Sequence, residues 1–351
     1  MIGYLSNISE KVGKKGKGLS VDISDRSLSL IQRCISMVPV IVLGSGASAA
    51  YGFASMSQLA SHLIRSITPN QDDIQKWNDF KIQIESGVDL ETALHNVSVS
   101  EGLENQVILN TRDLIRARDV EVFTSIIENE ISLPLGRLLQ HLSRTANQTI
   151  KVVTTNYDRL AEYAFDQALL KFNSGFSGGY RKTFKGFHQS FSEQIELLKV
   201  HGSLDWFLSE GISALSIPDS ISERTNITPL MVTPGVRKYE HTHNDPFRSI
   251  IARADIAFEN ANSILCVGYG FNDSHIHSKL NDKLRQGRTP IVIATKSLTE
   301  NALRFIKSSP ASNVLGIEEF NNGTKIVYHD GEEIIEELSF WSLDELIKLV
   351  M

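Results

Sequence analysis

Residues 149–158 read TIKVVTTNYD. The first half is an apolar, β-branched run without the polar alternation of a half-exposed strand, the signature of a strand covered on both faces. The second half ends that strand in a polar turn, setting Asn156 and Asp158 two residues apart at its mouth. The segment ELLKV at 196–200 repeats the arrangement and puts His201 at the mouth of another strand. An Asn and an Asp facing a His form a set that can order a water molecule and take a proton from it.

Four further runs have the same character: PVIVL at 39–43, PLMV at 229–232, SILCV at 263–267 and PIVIA at 290–294. Polar or glycine-rich turns follow them: GSGAS, TPG, GYGFND and TKS. With helical stretches between them, the six runs predict an α/β fold on a Rossmann-like parallel sheet. The turns beyond its carboxyl ends predict one ligand crevice.

Between the first and second runs, SQLASHLIRSI, DDIQKWNDFKIQIE, DLETALHNVS and the long EVFTSIIENEISLPLGRLLQHLSRT carry apolar residues at i, i+3, i+4 spacing. Asp89 is the expected N-cap of the third, with Glu91 in its first turn. This pattern predicts a helical insertion over 54–148. Residues 172–190, FNSGFSGGYRKTFKGFHQS, predict a loop or small hairpin that either connects two elements or covers a substrate. NVLGIEEF and TKIVYHD predict two more strands, and 331–350 a closing amphipathic helix. The division expected is an N-terminal extension over 1–24, a core of 25–53 and 149–305, the insertion, and C-terminal strands and helix over 306–351.

The chain has 351 residues, 41% hydrophobic and 22% charged, with a net charge of -6. That length suits one large α/β domain with an insertion, or two domains. The absence of an overall basic field argues against nucleic acid as a direct ligand through bulk electrostatics. The start MIGYLSNISEKVGKKGKG lacks the apolar core of a signal peptide, and no stretch reaches the roughly 18 apolar residues of a membrane span, so the expected location is the cytoplasm. Cys34 and Cys266 lie in apolar surroundings, RCISM and SILCVG, and are expected as buried thiols, which leaves no cysteine zinc site.

The turn Gly44-Ser45-Gly46-Ala47-Ser48-Ala49-Ala50-Tyr51-Gly52 follows a buried strand and opens a helix. Glycines there let a backbone approach a pyrophosphate, and the helix start supplies N–H donors. The spacing is neither the usual dinucleotide fingerprint nor a P-loop, and a tight strand-to-helix turn without a ligand is the alternative. Gly268-Tyr269-Gly270-Phe271-Asn272-Asp273 repeats strand, glycine turn and helix start, with Asp273 as the cap. Asp158 is equally a cap for the helix DRLAEYAFDQALL. His241 and His243 with Asp245, and His275 with His277, carry metal-ligand side chains, but an i, i+2 pair on a helix points to different faces and no metal is expected.

In order along the chain, GSGASAAYG, TTNYD, VHGS and VGYGFND resemble the motifs of the sirtuin family: its glycine loop, its Asn–Asp turn, its His-Gly motif and the glycine turn that holds NAD. The resemblance implies NAD as the ligand. Gly44, Gly46, Ser48 and Gly52 would cradle the pyrophosphate, with Ser45 and Ala47 beside them. Asn156 and Asp158, flanked by Thr155 and Tyr157, would order the nicotinamide ribose and a water, and His201 would act on the ribose hydroxyls. Gly268, Tyr269, Gly270 and Asp273 would form the second backbone approach, with Thr295 and Ser297 near the adenosine.

Protein deacetylases of that family carry a zinc module of two CxxC pairs after the His-Gly motif, whereas residues 203–262 here contain no cysteine. Where deacetylases read IPDFR, this chain reads Phe53-Ala54-Ser55-Met56-Ser57. TTNYD, the Ser-Leu-Asp-Trp after His-Gly, and GYGFNDSHI are similar instead to the zinc-free, sirtuin-like branch of bacterial antiviral defence proteins. That resemblance implies hydrolysis of NAD to ADP-ribose and nicotinamide by Asn156, His201 and Asp158, with a HerA-type hexameric ATPase as partner, while the amphipathic surface of 54–148 and 331–350, more than one sheet face can use, predicts a homo-oligomer. A protein deacylase and a nucleotide-binding regulatory subunit without turnover are the alternatives.

Overall fold

The computed structural model describes residues 23–146, 148–187, 193–209, 212–218, 227–233, 244–310 and 312–351. Most of the expected N-terminal extension, together with His241 and His243, lies outside the described residues.

In chain order the strands are β1 (Val40–Leu43), β2 (Ile150–Thr154), β3 (Phe172–Asn173), β4 (Phe176–Gly178), β5 (Lys182–Phe184), β6 (Ile195–Lys199), β7 (Gly202–Ser209), β8 (Ile212–Ser216), β9 (Ile227–Met231), β10 (Ile264–Val267), β11 (Ile291–Ala294), β12 (Val314–Phe320), β13 (Gly323–Val327) and β14 (Glu332–Ile335). Nine of them form one sheet in the order β14-β13-β12-β11-β10-β1-β2-β6-β3. Neighbours from β3 to β12 run parallel, and β13 and β14 add an antiparallel edge. From the central β1 the chain runs outward through β2 and β6, then returns to β10 and runs outward the other way. Strand order therefore reverses at β1/β10, the position where open α/β sheets bind ligands.

The helices are α1 (Asp25–Ser36), α2 (Ser45–Ala49), α3 (Met56–Ser66), α4 (Ile74–Glu85), α5 (Leu90–Val97), α6 (Glu101–Ile127), α7 (Pro134–Ser143), α8 (Leu160–Gln167), α9 (Phe247–Glu259), α10 (Ser274–Gln286), α11 (Glu300–Lys307) and α12 (Leu343–Val350). Alternate strand residues serve opposite faces. Ile41, Val152, Leu265 and Val292 pack with α1, α7, α8 and α12, while Val42, Val153, Cys266 and Ile293 pack with α9, α10 and α11. Both cysteines are free and buried, and burial pushes the Cys34 thiol up to about 12.

Helices α3 to α6 hold a separate core around Leu63, Trp77, Phe80, Leu94 and Leu103. As the sequence predicts, Asp89 caps α5, accepting from the Thr92 N–H at 3.0 Å. The long pattern ending in HLSRT is interrupted: α6 begins earlier, behind its Ser100 cap, and stops at Ile127, and α7 starts anew with Pro134 in its first turn, where a missing N–H does no harm. Asp119 of α6, fully buried, accepts from Arg159 N, Nε and Nη2 at 2.9, 2.9 and 2.6 Å and from Tyr163 Oη at 2.5 Å. That one carboxylate fastens α6 to α8 and the turn before it.

Two expectations are corrected. PLMV belongs to β9, an edge of a second, antiparallel sheet ordered β4-β5-β8-β7-β9, and not to the parallel sheet. Pro229 cannot donate to a central ladder, so an edge is where it fits. Residues 331–350 are not one helix. Glu332–Ile335 pair antiparallel with β13, and helix resumes only at Leu343, where Ser342 accepts from Glu345 N at 3.4 Å. The expected hairpin within 172–190 is present as β4 and β5, antiparallel from Phe176↔Phe184 to Gly178↔Lys182.

Candidate active site

Because β1 and β10 are neighbours, the glycine turns that follow them meet. Gly44 N–H donates to Val267 O at 3.0 Å, Gly46 N–H to Gly268 O at 2.9 Å and Ala47 N–H to Gly44 O at 3.0 Å. A Cβ on Gly44 would lie 2.5 Å from Gly268 O, and one on Gly268, whose φ is +57°, 2.1 Å from Ala47 N. Glycine at these positions therefore serves the packing of turn on turn, with those N–H groups already engaged. Gly52, at φ +80°, answers to Arg118, whose Nε donates to Tyr51 O at 2.6 Å and would lie 2.8 Å from a Cβ at Gly52.

The turn after β2 is bolted to the first glycine turn. Thr154 Oγ1 donates to Leu43 O at 3.1 Å and accepts from Asn156 N at 3.0 Å. Asn156 Nδ2 donates to Gly44 O at 2.9 Å and to Ser48 Oγ at 3.0 Å, which engages both amide hydrogens and leaves Oδ1 as the end of the side chain that can act on a ligand. Ser48 Oγ donates to Asp158 Oδ2 at 2.7 Å, and Asp158 Oδ1 accepts from Leu160 N at 3.1 Å. Asp158 thus anchors the turn and holds the first N–H of α8, whose N-cap position is Arg159 and not Asp158 as the sequence suggests. Burial pushes its pKa up, against Lys199 and Ser48, which favour the carboxylate. Lys199, fully buried beneath the turn, donates to Asp158 O at 2.5 Å and Glu162 Oε1 at 2.9 Å.

His201 links β6 to β7. Gly202 after it has φ +90° and a Cβ site 2.1 Å from Leu230 O, so only glycine fits beside β9. The His201 carbonyl accepts from Val232 N at 2.9 Å, which fixes the backbone. Its Nε2 lies 2.9 Å from Asp273 Oδ2, while Asp273 Oδ1 caps α10 by accepting from Ile276 N at 2.8 Å. Tyr157 Oη donates to Val232 O at 2.7 Å and Tyr269 Oη to Asp273 O at 3.4 Å. Burial raises both phenols above their ordinary range, so they remain donors.

These groups line one cleft of about 1130 Å³, counted to its open mouth. Gly44, Ser45, Ser48, Thr155, Asn156, Tyr157, Asp158, His201, Tyr269, Gly270 and Asp273 form its polar side. Leu59, Leu63, Leu90, Leu94, Val107 and Ile115 of α3, α5 and α6 form an apolar wall. Gly46, Ala47, Gly268 and Thr295 line a second cavity of about 910 Å³, bounded also by Tyr51, Trp341 and Leu343, and sharing Ser48, Asn156 and Asp158 with the first. Gly52 and Ser297 line neither.

Two features escaped the sequence reading. The apolar wall is foreshadowed only by the i, i+4 pair Leu59 and Leu63 and by Leu90 and Leu94, which read equally well as core. The His201–Asp273 contact joins residues 72 apart. Among the described residues, no group of three or more His, Cys, Asp or Glu is placed to hold a metal, and His275 pairs with Asp255 at 2.9 Å. Among them, too, no helix is long and apolar enough to cross a membrane.

Residues 150–310 match the family model of the SIR2-like domain. No curated protein matches the chain. Similar solved structures include a mutant Sir2 homologue with ADP-ribose, at 14% identity over 93% of this chain and 96% of the other, TM-score 0.48. A Sir2 enzyme described for mechanism and regulation is similar at 12% identity over 93% and 96%, TM-score 0.47. A Sir2 complex with p53 peptide and NAD+ is similar at 11% over 83% and 92%, TM-score 0.43. The stretch from β2 to α11, which carries Asn156, His201 and Asp273, is therefore similar to a SIR2-like domain, while β1, its glycine turn and the helices α3 to α6 lie outside the matched residues.

Proposed function

We propose that the cleft binds NAD and that the chain hydrolyses it to ADP-ribose and nicotinamide. The observation that carries this reading is the convergence of Asn156 and His201, from the mouths of two different strands, on one cleft beside the switch point of the sheet. The SIR2-like match across the residues that bear both side chains supports it.

Breaking the bond between ribose C1′ and the nicotinamide nitrogen leaves the bonding pair on that nitrogen. The ring departs neutral, no acid has to protonate it, and positive charge develops on the ribose. Asn156, with its N–H groups tied to Gly44 and Ser48, presents a carbonyl oxygen that can accept from water and face the cationic ribose. Water bonds to C1′ and passes its proton to His201, so that NAD⁺ and water give ADP-ribose, nicotinamide and a proton. Asp158, with both oxygens engaged, holds the turn in register. The apolar wall takes the nicotinamide ring and limits bulk water. The adenosine half is assigned toward Thr295, beyond β11, which lines the adjoining cavity.

Unrestrained NAD hydrolysis would drain a cell, so the activity requires control. On the resemblance of TTNYD and GYGFNDSHI to antiviral defence proteins, we assign the chain to antiphage defence as a cytoplasmic homo-oligomer working with a HerA-type ATPase. Incubation with NAD, followed by chromatography of the products, tests the activity. Nicotinamide and ADP-ribose in equal amounts without any peptide are expected, and release that depends on an acylated peptide would show a deacylase instead.

A further inference from the structure

We infer that Asp273 is a positioning residue for His201, holding the imidazole proton on Nε2 and thereby keeping Nδ1 as the acceptor. The activity arm of this inference rests on the proposed NAD hydrolysis; the geometry does not. An ionised carboxylate can only accept, so at 2.9 Å from Asp273 Oδ2 the Nε2 atom carries the hydrogen. In a neutral imidazole the other nitrogen is then the base. Among the described residues, Nδ1 has no hydrogen-bond partner, and the ring lines the cleft.

Both partners are locked. The Asp273 side chain is 5% exposed and that of His201 14%, so water competes weakly for the contact. Asp273 is oriented through its second oxygen by the Ile276 N–H in the first turn of α10, and His201 by Val232 N–H on its carbonyl and by Gly202. An N-cap needs one oxygen only. The other is turned across the mouth of the sheet onto His201, which capping does not explain.

Asp273→Asn separates the two roles, because Asn caps a helix as well as Asp. Its Oδ1 can keep the Ile276 N–H, but the amide that replaces Oδ2 donates, so Nε2 must accept and the proton moves to Nδ1. A merely structural Asp273 would leave the ring unaffected. The test is a long-range ¹⁵N–¹H spectrum of imidazole-labelled full-length protein at mildly alkaline pH, with the His201 signals identified by their loss in His201→Ala. Nε2–H is expected in the wild type and Nδ1–H in Asp273→Asn. With that switch, kcat for nicotinamide release should fall roughly 10²- to 10⁴-fold, with KM and melting temperature held. Asp273→Ala, which also removes the cap, should lose stability as well.

Nδ1–H in the wild type, or an unchanged tautomer and unchanged kcat in Asp273→Asn, would overturn the inference. The two readings separate cleanly. A tautomer switch in a protein whose nicotinamide release survives His201→Ala would leave the Asp273 assignment standing and remove the proposed role of His201 in hydrolysis.

Discussion

Replacing Gly268 by alanine tests whether the two glycine turns hold each other. At φ +57° an alanine costs about 1–2 kcal/mol in backbone strain alone. Its Cβ would also fall 2.1 Å from Ala47 N, 2.3 Å from Gly46 C and 2.6 Å from Gly46 Cα, all backbone atoms that no rotamer change can clear. The turn must move, loosening the bonds from Gly46 N to Gly268 O and from Gly44 N to Val267 O, each worth about 0.5–1.5 kcal/mol. The combined loss should be about 3–5 kcal/mol, within the range of severe single substitutions. Gly270→Ala is the control two residues on. Its nearest neighbour would be Thr299 Cγ2 at 3.5 Å, an ordinary contact, so it should change stability by no more than about 1 kcal/mol. Urea unfolding of the three proteins, followed by circular dichroism, gives the comparison. Equal midpoints for Gly268→Ala and wild type, or equal losses for both variants, would refute the interlocked turns.

Two more outcomes follow from buried and half-buried carboxylates. Asp119→Ala leaves Arg159 and Tyr163 facing an empty site and should cost about 3–5 kcal/mol in urea unfolding; a loss under about 1 kcal/mol would mean that α6 is held to the core by apolar packing alone. Glu333 is partly buried, which pushes its pKa up, but bonds from Ser27, Ser24 and Tyr328 outweigh this and hold it below the ordinary carboxylate value. A depressed folded pKa stabilises above the unfolded value of about 4.3 and ceases to as pH falls through the folded one. The difference in melting temperature between wild type and Glu333→Gln should therefore be constant near neutrality and shrink toward zero in acid, and a difference independent of pH would contradict the assignment.

Much of the parallel sheet is legible because its strands are buried on both faces and read as unbroken β-branched runs. PLMV reads the same way, yet a short apolar run does not say which sheet receives it, and only Pro229 hints at an edge. The tail from 331 misleads for a related reason: Ile334 and Ile335 fit either a helical face or a strand, and the pairing with β13 decides. At the site, Asn156 and His201 are visible as polar residues just beyond strands. The glycines are visible too, but spacing cannot tell whether a glycine faces a ligand or another turn, and here Gly44 and Gly268 face each other. Asp273 is readable as a cap, whereas its other oxygen meets a histidine that arrives from β6, three strands away from β10 in the sheet.

In the proposed reaction Asn156 and His201 act on NAD in one cleft. Steady-state nicotinamide release by full-length wild type, Asn156→Ala and His201→Ala, each assayed alone and with the proposed HerA-type ATPase and each checked for folding by thermal melt, is the deciding measurement. Release by the wild type and a fall of about 10²- to 10⁴-fold in both folded variants is the predicted result, equivalent to roughly 3–5 kcal/mol at the transition state. Turnover in folded His201→Ala or Asn156→Ala equal to that of the wild type, or no release by the wild type under either condition, would contradict it.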